Sequence, residues 1–254
     1  MIELGLSRRR SAARQSGSSN RRLDFALRAA NVRIDSNFRA DVAFWLANLE
    51  GWNGRQRWRS ARASPFVFAS DASLDGFGFY LESAPPTAAT AQWPTALQLG
   101  SGFIGLYSPA DAPHHASSGD MTWCELFAVY AAASTYSSVL HDCCVLFILD
   151  NKTDVDVLNR QATRSARLAG LLRAIYKLAI ENNLDIYARH RDGVDNVLAD
   201  FLSRPTLRGS DTASDAVVAQ WQRRCGADTA LCARLSFVSV MHSQNIGNGS
   251  ARPS

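Results

Sequence analysis

Residues 143–160 read CCVLFILDNKTDVDVLNR, and the change of character at Asp150 decides the fold. The first half, CCVLFILD, is a continuous apolar run without alternation, as in a strand covered on both faces. The second half, NKTDVDVLNR, is short, polar and helical in pattern. A fully buried strand running straight into a helix is the repeating unit of a parallel sheet. Downstream the pattern repeats. A long helix is expected over about 165–182, a strand at LDIYARH (184–190), and a last helix from roughly Val194 to Ser203.

Upstream the text differs. From Pro65, PFVFASDAS and GFGFYLES are short, aromatic and bounded by turn residues, which predicts a hairpin with its turn at Asp75-Gly76. GFIGLYS (102–108) supplies a third strand, and a long helix follows from Thr122 to Leu140. Residues 84–101, rich in Ala, Pro and Thr, and PADAPHHASSGD read as loops. The expectation is an α/β fold: a mixed five-stranded sheet, three antiparallel strands and then parallel ones, flanked by helices. Earlier still, Phe38, Val42, Trp45, Leu46 and Leu49 recur at helical spacing, giving a helix near 37–50 capped by Ser36 or Asn37. Gly51 and Gly54 end it, and the Arg- and Trp-rich segment GWNGRQRWRSARASP becomes a connector. Its Trp side chains suit stacking on bases or packing onto the next domain. The organisation is thus a basic disordered leader at 1–35, a connector at 36–64, the α/β domain at 65–205, and a poorly defined tail at 206–254 to which no chemistry is assigned.

Of 254 residues, 46% are hydrophobic, enough for a core. The net charge of +4 conceals two halves. Residues 1–62 hold thirteen Arg and five acids, and the remainder holds 14 basic against 18 acidic residues. A basic extension on an acidic body suits a protein that gathers phosphate backbone at one place and metal ions at another. Cys124, Cys143, Cys144, Cys225 and Cys232 are odd in number and have no Cys-x-x-Cys spacing, so neither a zinc site nor a disulfide framework is indicated. No run of eighteen apolar residues occurs, and the N-terminus lacks the apolar core of a secretory signal. The expectation is an intracellular protein, cytoplasmic or nuclear, with no membrane partner.

Four carboxylates fall at the ends of strand-like or helix-like runs: Asp71, Glu125, Asp150 and Asp200. Each has an ordinary explanation. Thr122-x-x-Glu125 is a capping box, Asp150 is placed to cap the following helix, Asp71 suits an Asx-turn, and Asp200 is a polar position on an amphipathic helix with Val197, Leu198, Phe201 and Leu202. Those explanations predict no relation among the four. Yet this order can bring them together at one edge of a mixed sheet, where like charges require a cation.

These segments resemble type I ribonuclease H in the form found in retroelement reverse transcriptase polyproteins, DIRS-like or gypsy-like. The likeness rests on DAS-x-x-GFGF (71–79), ELFAV (125–129), LDNKTDVDVLNR (149–160) and HRDGVDNVLADFLSRP (190–205), with FRADVAFWLANLEGWNGR (38–55) similar to the preceding connector. It covers roughly residues 36–205. It implies an RNase H-like fold and an endonuclease that hydrolyses the RNA strand of RNA–DNA hybrids during reverse transcription. It further implies two Mg²⁺ ions, with Mn²⁺ able to substitute, on Asp71, Glu125, Asp150 and Asp200, and His190 as a proton carrier or product-release aid. Ser73, Asn151, Asn196, Arg189 and Arg191 are the implied substrate contacts. The implied partners are the hybrid itself and a polymerase domain, whose adjacent Asp-Asp motif this chain lacks. Two alternatives remain: a decayed copy serving as a nucleic-acid-binding or scaffold module, and a DNA-acting integrase or resolvase of the same fold.

Overall fold

The computed structural model describes residues 35–52, 65–85, 93–94, 97–107, 121–204 and 214–242. The expected leader and the Arg/Trp-rich linker lie almost wholly outside them. The chain divides into two units, 1–50 and 51–254. In the first, helix α1 (Ser36–Trp52) starts where Asp35 Oδ1 accepts the Phe38 N–H at 2.8 Å, so the cap is Asp35 rather than Ser36 or Asn37. Phe38, Val42, Leu46 and Leu49 form one exposed apolar stripe on it.

The second unit is built on one sheet. Strands β1 (Phe66–Ala72), β2 (Gly76–Ser83) and β3 (Ser101–Leu106) pair antiparallel in sequence. Helix α2 (Met121–Thr135) leads to β4 (Cys144–Leu149), which lies parallel to β1. Helices α3 (Lys152–Arg160) and α4 (Ala166–Glu181) then precede β5 (Asp185–His190), parallel to β4. A 3₁₀ turn (Gly193–Asp195) opens onto helix α5 (Val197–Ser203). Helix α6 (Ser214–Cys225), the short α7 (Thr229–Cys232) and strand β6 (Phe237–His242) complete the fold.

The expected five strands become six, in the order β5-β4-β1-β2-β3-β6. The segment read as an ill-defined tail supplies the sixth, which pairs parallel with β3 from Ser101↔Phe237 to Leu106↔His242. Its sequence, FVSVMH, is too short and too mixed to announce a strand. What secures it is Trp221 of α6, fully buried and 5.2 Å from the Phe201 ring, with Val217, Leu235 and Val238 in the same cluster. Burial of one indole contributes roughly 2–3 kcal/mol, enough to bring a weak strand to an open edge.

Alternation along the strands divides the core into two layers. Phe68, Phe79, Leu81, Phe103, Phe147 and Leu149 face α2 and α4, whereas Ala69, Tyr80, Ile104, Leu146 and Ile148 face α5 and α6. The opposite edge of the sheet is closed by a side chain: the Asn159 amide donates to the Ala188 carbonyl and accepts the Ala188 N–H, both at 2.9 Å. It occupies backbone groups of β5 that a further strand would otherwise pair with.

Candidate functional site

Parallel pairing of β1 and β4 sets the site. Their register includes Ala69↔Ile148, so Asp71 and Asp150 each stand two residues beyond that pair, at the same end of adjacent strands. The local jobs that would have explained these acids belong to their neighbours. Asn151 caps α3, its Oδ1 accepting the Thr153 N–H at 2.9 Å. Ser73 Oγ accepts the N–H groups of Asp75 and Gly76 in the hairpin turn, each at 3.2 Å. Asp71 and Asp150 are left with no turn or cap to make. Glu125 is no capping-box residue either. Helix α2 begins at Met121, which places Thr122 inside the helix and Glu125 on its second turn, 9% exposed.

Asp200 arrives from the other face. Asn196, 2% exposed, donates from Nδ2 to the Ser70 carbonyl at 3.1 Å and thereby fastens the start of α5 to β1. At the far end of that helix Ser203 Oγ donates to Asp71 Oδ2 at 2.7 Å. This approach requires Gly78, the residue paired with Asp71 across the hairpin. A Cβ at position 78 would run into Leu202 Cβ and lie 2.6 Å from the Ser203 nitrogen.

Burial governs the electrostatics. It pushes Asp71 up to about 7, against the Ser203 hydrogen bond and with the charges of Asp150 and Asp200 adding to the rise. It also raises Asp150, where His190 opposes the shift. Glu125 rises through burial and then through the charges of Asp154, Asp150 and Asp71. Asp154 was not singled out in the sequence, yet it is fully buried on α3 beside Glu125, and burial raises it as well. Its spacing was the available signal: Asp154 shares the inward face with Val157 and Leu158 at i+3 and i+4.

Asp200 differs from the other acids in having cations. Arg204 Nη2 lies 2.6 Å from its Oδ1, and Arg224 Nη2 lies 3.4 Å from its Oδ2. Arg224 comes from α6, in the segment to which the sequence reading gave no chemistry, and its guanidinium also lies over the Phe201 ring. Among the described residues no Lys, Arg or His side chain forms an ion pair with Asp71, Glu125, Asp150 or Asp154.

The remaining expected site residues are distributed around this row. His190 sits opposite Leu149 in the sheet, with Nε2 3.1 Å from the Asp150 carbonyl and Nδ1 3.8 Å from Asp192 Oδ1. Since a carbonyl can only accept, Nε2 carries the hydrogen and Nδ1 is the basic nitrogen. Ser73 has its hydroxyl in the turn and donates to the Ser203 carbonyl at 2.6 Å. Arg189 is exposed. Arg191 is held by Glu82, with Nη2 at 3.1 and 2.8 Å from its two carboxylate oxygens, so its charge is engaged within the fold. The acids form an open row and not a cage: among the described residues no three acidic, His or Cys side chains are close enough to enclose one ion. The donor chemistry nonetheless fits a hard divalent cation. All the acids offer oxygen, and Glu125 Oε2 and both oxygens of Asp154 are buried without a hydrogen-bond partner. No protein-family model matches the chain, and neither a curated protein nor a solved structure does.

Proposed function

We propose that this chain is a metal-dependent nuclease of RNase H-like fold that hydrolyses the RNA strand of RNA–DNA hybrids, as part of retroelement reverse transcription. The observation that carries the reading is the row of Asp71, Asp150 and Glu125 at one end of adjoining elements, with Asp71 and Glu125 buried, Asp150 half-buried, and none of the three in an ion pair with a basic side chain among the described residues. The strand order β3-β2-β1-β4-β5, antiparallel and then parallel, supports it further.

Asp71, Glu125, Asp150 and Asp200 would hold two Mg²⁺ ions, for which Mn²⁺ can substitute. When bound, such ions supply an activated water and neutralise charge on the leaving oxygen. The chain's own groups do the rest. Asn196 and Ser203 fix α5 over β1, which brings Asp200 to the face of the sheet on which Asp71 stands. His190 is half-buried at the rim with Nδ1 3.8 Å from Asp192 Oδ1, a position suited to carrying a proton to or from the reacting groups. Exposed Arg189 and the partly exposed Arg204 are suited to phosphate contacts that weaken as salt rises.

The decisive experiment incubates the purified chain with hybrid carrying labelled RNA, in Mg²⁺ or EDTA, beside Asp150→Asn and a duplex DNA substrate. Cutting of hybrid RNA that needs Mg²⁺ and disappears in the variant is the expected result. One observation favours a second reading, a hybrid-binding module that no longer cuts: Arg204 and Arg224 already neutralise Asp200. Hybrid binding without cleavage by the folded protein would establish that reading. Equal cutting of duplex DNA would instead support an integrase- or resolvase-like enzyme.

A further inference from the structure

Asp154 is the acid for which neither the fold nor the proposed reaction has yet supplied a role. It lies one helical turn beyond Asp150, fully buried, on the face of α3 that carries Val157 and Leu158. Neither of its oxygens has a hydrogen-bond partner, and on the facing helix α2 Glu125 Oε2 is buried and unpartnered too. Three carboxyl oxygens from two helices are therefore buried beside one another with no basic side chain among them. An apolar side chain here would complete the α3 face at no electrostatic cost, whereas paired acids are tolerated in such a place only when they share a proton or a cation. The fold's nearby arginines stand at the other end of the row, on Asp200.

We propose that Asp154 is a fifth oxygen ligand of the centre, sharing with Glu125 the ion at the inner end of the row. This rests on the metal-dependent reading above and extends it: the inner ion would be held by acids of α2 and α3, deeper than a site made of Asp71, Asp150 and Asp200 alone. A second carboxylate at that position favours a cation that accepts several hard anionic oxygens, Mn²⁺ or Mg²⁺ over a softer metal.

The test uses the full chain as wild type, Asp154→Leu and Asp154→Asn, with two readouts independent of cleavage. One is thermal melting in EDTA and during a Mn²⁺ titration. The other is free Mn²⁺ counted by electron paramagnetic resonance. Asp154→Leu should melt higher than wild type in EDTA, because a buried unpaired acid has gone, and should bind Mn²⁺ at least about tenfold more weakly. Asp154→Asn keeps the shape and the hydrogen-bonding capacity without the charge, and should also bind weakly. Wild-type Mn²⁺ affinity in either variant overturns the proposal. Unchanged Asp154→Leu would leave Asp154 without a role at the metal, and restored Asp154→Asn would make it a positioning residue for Glu125. Lower melting of Asp154→Leu in EDTA would show that the acid is already satisfied within the fold and overturns it as well. Should Asp154→Leu fail to fold, Asp154→Asn decides. A wild type with no Mn²⁺-induced shift defeats the metal reading itself, and the Asp154 ligand with it, whereas intact variants beside a responsive wild type defeat only the latter.

Discussion

At one end of the row of acids Asp200 faces two guanidiniums, and at the other Glu125 and Asp154 face each other with no cation between them. The difference follows from depth. Asp200 is partly exposed, so long Arg side chains can reach it while their heads stay in water, and such pairs carry little desolvation cost. Glu125 and Asp154 lie between α2 and α3, where a guanidinium would have to leave water completely. The outer end is thus neutralised by the chain itself, and the inner end needs a proton or a small ion from outside. A fold can hold acids together for a cation and still protect the accessible one with its own arginines.

The comparison breaks most sharply if the acids between the two ends, Asp71 and Asp150, can be neutralised without consequence. Asp71→Asn or Asp150→Asn should lower Mg²⁺-dependent cleavage by about 10²–10³-fold or more, as removal of a group that organises developing charge does, with melting in EDTA kept or raised. Steady-state cleavage beside thermal melting checks this. Near-normal cleavage by either variant would place the chemistry elsewhere.

Next in size is the route by which the two ends meet. Gly78→Ala puts a methyl into Leu202 and the Ser203 backbone and should destabilise by roughly 1–3 kcal/mol, moving α5 off β1. Chemical denaturation of the variant measures it, and a stability equal to wild type would mean that α5 is not held by this approach.

The pH dependence of stability sharpens the contrast further. Asp71, Glu125, Asp150 and Asp154 all have folded pKa values above those of free carboxyls, so the folded state retains protons that the unfolded state gives up. Their stabilising contribution is complete below the ordinary carboxylate range and is lost as pH rises, for Asp71 between about 4 and about 7. In EDTA the melting temperature should therefore fall from pH 5 to pH 8, and Mg²⁺ should flatten or reverse that slope. A metal-free protein that gains stability over this range would contradict the burial of these acids.

The smallest effect belongs to the outer end. Arg224→Ala removes a partly exposed ion pair of the kind that contributes about 0.2–1 kcal/mol, and should change Mn²⁺ affinity only a few-fold, upward, because Asp200 is freed. A Mn²⁺ titration followed by melting reads it. A larger loss of affinity would show that Arg224 supports the site and does not compete with the ion.

Several elements were legible without coordinates because their signals are local. The unbroken apolar run ending at Asp150, the aromatic hairpin and the two later helices follow from periodicity and turn residues alone, and they appear within a few residues of their expected positions. The four candidate carboxylates were legible as residues. The ordinary explanations of Asp71, Asp150 and Glu125 were ruled out only once Asn151 and Ser73 were seen doing those jobs and Met121 was seen starting α2. Strand β6 was missed because its pairing with β3 spans more than 130 residues and is held by Trp221 rather than by its own pattern. Arg224 was missed for the same reason.

The sequence by itself determined the alternation of strands and helices, the absence of a Cys-x-x-Cys pair and the placing of acids at segment ends, because each depends on neighbours within a turn or two of the chain. Tertiary structure decided which acids are buried, which receive an arginine and which face one another. Those outcomes depend on solvent exclusion and on approaches such as α5 over Gly78, which exist only after distant segments have packed. Asp154 and Asp200 are both acids on amphipathic helices, and what separates them is the depth at which the fold sets each one.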